Sequence, residues 1–82
     1  MPKSKAFPLV MASEGELVQI VAVRAGKGLT KRLTTLGFNV HTELRVVQRR
    51  PGGSMVIARG DVRMALGVGM AQQILVVPAA AK

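Results

Sequence analysis

Glycine and proline interrupt this chain so often that no long regular element fits between them. Gly15, Gly26, Gly28, Gly37, the run Pro51-Gly52-Gly53, Gly60 and Gly67 cut it into short pieces. Turns favour these two residue types because they supply backbone dihedrals that other residues resist. Most of the pieces between them are β-branched and apolar, so the chain reads as a succession of short strands.

The first expected strand runs from Glu16 to Val23, after the turn Ser13-Glu14-Gly15. Its alternation is imperfect: Val18 and Ile20 share one face, Val21 and Val23 the other, which predicts a bulge or coil near Ile20. Leu29, Leu33 and Leu36 then follow the i, i+4, i+7 spacing of a short helix, entered through the flexible Gly28. Thr34 and Thr35 lower helix propensity, so this helix needs packing against the sheet to hold its shape. Gly37 stands where a helix stop belongs and is expected to cap it in a left-handed conformation.

From Glu43 to Arg50 the alternation is cleaner. Leu44 and Val46 share one face while Glu43, Arg45, Val47 and Arg49 take the other, the pattern of a half-solvated strand. Gly52 and Gly53 make Pro51-Gly52-Gly53-Ser54 a hairpin turn, and the chain returns through Met55 to Arg59. Gly60-Asp61 reverses it again. Val62, Met64 and Leu66 alternate with Arg63 and Ala65 in a fourth strand, Gly67 to Gln73 has room for a single helical turn, and Ile74 to Val77 is a fifth strand. The expected fold is mainly β: a small, partly open barrel of about five strands with one short helix between strands one and two. Residues 7–77 are expected to form a single domain, with 1–6 and 78–82 as flexible termini.

Composition narrows what such a barrel can do. A chain of 82 residues buries only about 60% of the surface its unfolded form exposes. Its hydrophobic residues make up 49% of the chain, yet Phe7 and Phe38 are the sole aromatics, so the core must be aliphatic. Substrate and cofactor pockets are usually concave and partly aromatic, and one would consume much of so small an interior. An enzyme is disfavoured, and no cofactor is expected. The absence of cysteine excludes disulfides and thiolate metal sites and suits a reducing compartment, the cytoplasm by default. Phe7 to Ala12 is too short for a signal peptide and is interrupted by Pro8; it reads as the ordered entry to the fold. The apolar run from Ile74 to Ala81 falls far short of a membrane span.

Candidate sites of chemistry are few. His41 is the sole imidazole, and Glu14, Glu16, Glu43 and Asp61 are scattered among turns and strand ends. Metal binding needs several converging ligands, so His41 reads as a surface turn residue and no metal site is expected. Met55 and Met64 fall at alternating strand positions and read as core filler. No nucleophile has a neighbouring base. Gly26-Lys27-Gly28-Leu29-Thr30 lacks the spacing of a phosphate-binding loop and reads as the approach to the helix.

The charge is the strongest surface signal. Twelve Lys and Arg against four Asp and Glu give a formal charge of +8, which points to a nearby acidic surface. Arg45, Arg49, Arg59 and Arg63 lie on adjacent expected strands, Arg50 lies at the hairpin, and Lys27, Lys31 and Arg32 surround the helix. These residues are either a solvated face or a docking patch, and both readings stay open. Phe38, just past the cap glycine, either tucks under the helix or stands exposed as an anchor for a partner.

In order and spacing these features resemble the FeoA family. The matching stretches are Pro8-Leu9 with Gly15-Glu16, Gly28-Leu29 with Arg32-Leu33 and Leu36-Gly37, Pro51-Gly52-Gly53, Ala65-Leu66-Gly67, Ala71, and Ile74-Leu75-Val76, covering roughly Phe7 to Val77. The chain departs from the family after the helix, where Val40-His41-Thr42 replaces a usual Pro-Gly turn. The resemblance implies an SH3-like barrel without catalytic residues. It further implies a cytoplasmic accessory protein of ferrous iron uptake that docks on a FeoB-type membrane GTPase transporter, at the inner face of the cell membrane, and supports or regulates it. Similar modules occur behind the DNA-binding domain of iron-dependent repressors, and this length leaves no room for such a domain, so the free-standing form is expected. The rival is a basic nucleic-acid-binding or regulatory barrel, which the shortage of aromatic stacking platforms disfavours. Homo-oligomerisation, and metal binding at an oligomer interface, stay open.

Overall fold

The computed structural model describes residues 5–79. Six antiparallel strands form one sheet in the order β1-β6-β2-β3-β4-β5. They are β1 (Phe7–Pro8), β2 (Leu17–Val23), β3 (Glu43–Arg49), β4 (Met55–Arg59), β5 (Val62–Leu66) and β6 (Ile74–Pro78). Helix α1 (Lys27–Thr35) joins β2 to β3, and the single-turn helix α2 (Val68–Ala71) precedes β6. Short 3-10 turns lie at Leu9–Met11 and Pro51–Gly53. The architecture is the mainly β, partly open one the turn spacing predicts, with one strand more than expected.

The additional strand is β1. Phe7 and Pro8, expected only as an entry segment, pair with Val76 and Leu75 of β6. Proline is tolerated there because β1 is an edge strand, where its missing N–H costs no ladder bond. At the other end Pro78 closes β6 and the Ala79 N–H donates to the Leu17 carbonyl at 3.0 Å. β6 therefore extends to Pro78, one residue past the strand end expected at Val77. The flexible-terminus expectation for residues 1–4 and 80–82 lies outside the described residues.

Alternation on the inner face builds the core. Val18 and Ile20, Leu44 and Val46, Met55 and Ile57, Met64 and Leu66, and Ile74 and Val76 form five i, i+2 pairs, each buried and each from a different strand. The irregularity expected in the first long strand is present: the β2–β6 register shifts between Ile20 and Ala22. A second shift, between Val46 and Gln48 on β3, leaves Val47 half-buried and Gln48 exposed. Such bulges increase local twist and let a short sheet curl toward closure. Leu9, Ala12, Leu33, Phe38 and Ala71 complete the core, and no polar side chain is buried among the described residues.

Helix α1 covers the barrel through a narrow contact. Leu33 is buried, whereas Leu29 and Leu36 are only partly so, and Gly28 lies inside the helix rather than at its approach. What fixes the helix is its C-terminal end. Gly37 has φ +88°, its N–H donates to Thr34 O at 3.0 Å, and the Phe38 N–H donates to Leu33 O at 2.7 Å. This paired arrangement is a Schellman motif, and the buried Phe38 and Leu33 supply the hydrophobic contact that accompanies it. Phe38 is therefore a core residue that tucks under the helix, which corrects its candidacy as an exposed partner anchor.

A β-carbon at Gly37 would adopt a disfavoured φ and also overlap the Arg59 guanidinium. Because Arg59 is a long exposed side chain that can swing aside, the backbone term dominates. Gly37→Val is expected to destabilise by more than about 1 kcal/mol, measured by chemical denaturation. The same loss should persist in an Arg59→Ala background; unchanged stability in Gly37→Val would contradict the left-handed cap as the cause.

Candidate functional site

The groups capable of chemistry are dispersed by the fold. Glu14 and Glu16 lie in the turn before β2, where the Glu16 carboxylate accepts the Ser13 N–H at 2.9 Å. Glu43 opens β3, Asp61 sits in the β4–β5 turn, and His41 lies in the α1–β3 loop. Among the described residues no three His, Asp or Glu side chains group to hold a metal ion. His41 instead serves the loop with its backbone: its N–H donates to Ile20 O at 2.7 Å and its carbonyl accepts from Gln19 Nε2 at 3.1 Å. It does so at φ +78°, as the one described residue other than glycine with a positive φ.

The cations divide into two classes. Arg45 donates to the Gly15 carbonyl at 2.8 Å, Arg49 to the Ala12 carbonyl, and Arg59 to the Leu36 carbonyl at 3.4 Å. These three arginines therefore have structural work: Arg45 and Arg49 fasten the segment before β2 onto β3, and Arg59 sits at the C-terminal end of α1. A cation there also complements the helix dipole. By contrast, Arg24, Lys27, Lys31, Arg32, Arg50 and Arg63 are exposed and make no side-chain hydrogen bond among the described residues.

Two shallow surfaces carry these residues. On the outer face of the sheet, Arg45 pairs with Ala58 and Ala58 with Arg63, so the two arginines flank a small residue in one cross-strand row. With Leu17, Glu43 and Val47 they border an open groove of about 380 Å³. On α1, Gly28, Lys31, Arg32, Thr35 and Leu36 fall at i, i+3, i+4, i+7 and i+8 and line a second open groove of about 360 Å³. The sequence singled out both sets of cations, but not the small Ala58 between the two arginines, which becomes visible only once the strand registers are known. Arg50 lies at the opposite end of β3, beside the turn in which Gly52 and Gly53 take φ of +89° and +101°. A β-carbon at Gly53 would come within 2.7 Å of Val68, so this glycine is also required by the packing of α2.

The FeoA domain family matches residues 7–78. The chain belongs to the FeoA family. A Methanocaldococcus jannaschii relative, "Putative Fe(2+) transport protein A", is 34% identical over 70 residues, spanning 85% of this chain and 84% of the relative. Among solved structures, the crystal structure of an "Iron Uptake Regulatory Protein (FeoA)" superposes with a TM-score of 0.78 at 24% identity, covering 92% of this chain and 99% of that one. A "Manganese-dependent transcriptional repressor" superposes with a TM-score of 0.82 at 25% identity, covering 95% of this chain but only 44% of the repressor. The SH3-like barrel is thus shared between FeoA proteins and part of a metal-dependent repressor, and the fold alone does not decide what it contacts.

His41 occupies a left-handed turn conformation better suited to glycine, at a strain of roughly 1–3 kcal/mol. His41→Gly should relieve that strain, offset in part by the greater freedom of glycine in the unfolded chain. The expected net result is a gain of up to about 1 kcal/mol and a higher melting temperature; a clear drop would show that the imidazole makes a stabilising contact.

Proposed function

We propose that this FeoA-family chain is a cytoplasmic, non-enzymatic accessory protein of ferrous iron uptake that docks on a FeoB-type membrane GTPase transporter and supports or regulates it. Family membership carries this reading: the FeoA domain family matches residues 7–78, and the Methanocaldococcus jannaschii relative bears an Fe(2+) transport name. The physical chemistry agrees with it. An interior filled by aliphatic side chains and the single aromatic Phe38 leaves the exterior as the working part, and the iron is cargo handled by the partner.

The sheet groove is the docking face proposed for the transporter. It combines both charge signs, Arg45 and Arg63 with Glu43, around the apolar Leu17, Val47 and Ala58. Mixed charges around a small apolar centre fix register and reject wrong partners, as a specific protein contact requires. Arg63 is the sharper probe of the two arginines because Arg45 is engaged with the Gly15 carbonyl.

The second reading, a nucleic-acid-binding module, is favoured by the charge of +8. Against it stands the burial of Phe38 and the half-burial of Phe7, which leave no aromatic platform for bases. The tagged chain is expected to co-purify with the detergent-solubilised transporter, with Arg63→Glu weakening the association several-fold and leaving thermal stability unchanged. Titration with DNA or RNA at two salt concentrations is expected to give weak binding only. Tight nucleic-acid binding with a steep salt slope, together with no transporter association, would favour the second reading.

A further inference from the structure

We infer that the outward face of α1 is a contact site for an anionic lipid surface, separate from the sheet groove proposed for the transporter. Lys27, Lys31 and Arg32 project from this helix, Arg24 leads into it, and all four are exposed without side-chain hydrogen bonds among the described residues. None of the four Asp and Glu side chains lies on α1. The face is therefore of one sign. Between the cations, Gly28, Thr35, the half-buried Leu36 and the aliphatic stems of Lys31 and Arg32 line an open groove. Long cationic side chains over an aliphatic floor suit a head-group layer, which takes charge at the tips and apolar surface along the stems.

The helix carries these cations against its own stability. Lys27 occupies the first helical position, where the dipole disfavours positive charge. Gly28 weakens the interior, and Gly26 provides no side-chain cap. A sequence selected only to cover the barrel would place acidic residues at this end. Such a cost, retained on an exposed face, is expected where the charge has a use.

Lipid is favoured over the other acidic surfaces by what the cations lack. The arginines that hold fixed partners in this molecule are Arg45, Arg49 and Arg59; the cations on α1, Lys27, Lys31 and Arg32, make no side-chain hydrogen bond among the described residues, which suits a fluid array of charges better than a defined set of carboxylates. Bases would need stacking surfaces that the face does not have. The inference rests on the cytoplasmic placement proposed above, where the inner leaflet supplies the negative charge, but it requires no transporter.

Sedimentation of the full chain with vesicles tests it. Binding is expected to vesicles of equal parts phosphatidylglycerol and phosphatidylcholine, to weaken as salt rises, and to be absent with phosphatidylcholine alone. The combined variant Lys27→Glu, Lys31→Glu, Arg32→Glu should bind at least about tenfold more weakly, whereas Arg63→Glu should bind as the parent does. Lys27→Glu alone guards against misfolding, since it should raise the melting temperature while lowering vesicle binding. Equal binding to neutral vesicles, or undiminished binding by the combined variant, would overturn the inference. So would binding of soluble polyglutamate or DNA as tightly as the anionic vesicles, which would reassign the face to an acidic protein or a nucleic acid. Because the vesicles contain no transporter, failure here leaves the co-purification result intact, and the reverse also holds.

Discussion

The fold of this molecule depends on the closure of a small interior that is aliphatic except for Phe38. Five strands each contribute an i, i+2 pair of buried side chains, and the remaining openings are covered by Leu9, Ala12, Leu33, Phe38 and Ala71. The Phe38 cover depends on a single backbone feature, the left-handed Gly37, which turns the chain so that Phe38 returns beneath the helix that Leu33 anchors. The two N–H groups that satisfy the helix terminus come from the same two residues. Without that turn, α1 would have one buried leucine and little else to hold it.

Much of this was legible in the residues because local rules and tertiary packing agree. Alternation in Leu44-Arg45-Val46 and in Val62 to Leu66 assigned the inner face, and the broken alternation around Ile20 located the register shift in β2. The positive φ at Gly37, Gly52 and Gly53 follows from turn chemistry. What stayed hidden has no local signal. β1 is two residues long and exists through its pairing with β6 at the far end of the chain. The roles of Arg45, Arg49 and Arg59 as donors to carbonyls between 23 and 37 residues away cannot be read from neighbours in sequence. Phe38 was ambiguous because a residue just past a cap can face either way until the position of the sheet is known.

The surface was less legible than the core for a related reason. A core position is over-determined by pattern, size and polarity at once, whereas an exposed arginine satisfies any of several roles. The sequence groups the basic residues by strand, hairpin and helix but leaves open whether each group is solvated or docks a partner. Their hydrogen bonds separate those that fasten loops from those that remain available, and the strand registers then place Arg45 and Arg63 on either side of Ala58. A positive charge that seemed a bulk property thus resolves into local assignments, of which only some concern a partner.

The same separation underlies the two contacts proposed for this small barrel. A specific protein contact needs groups held in register, which the sheet supplies through its rigid cross-strand row. A membrane surface needs only density of charge and freedom of the side chains bearing it, which a short, sparsely anchored helix supplies. The sheet buries the apolar pairs and leaves α1 attached chiefly by Leu33 and the Gly37 turn. Strengthening α1 with acidic residues at its start would improve the helix and remove the charge it presents, so fold stability and surface recognition pull in opposite directions at Lys27.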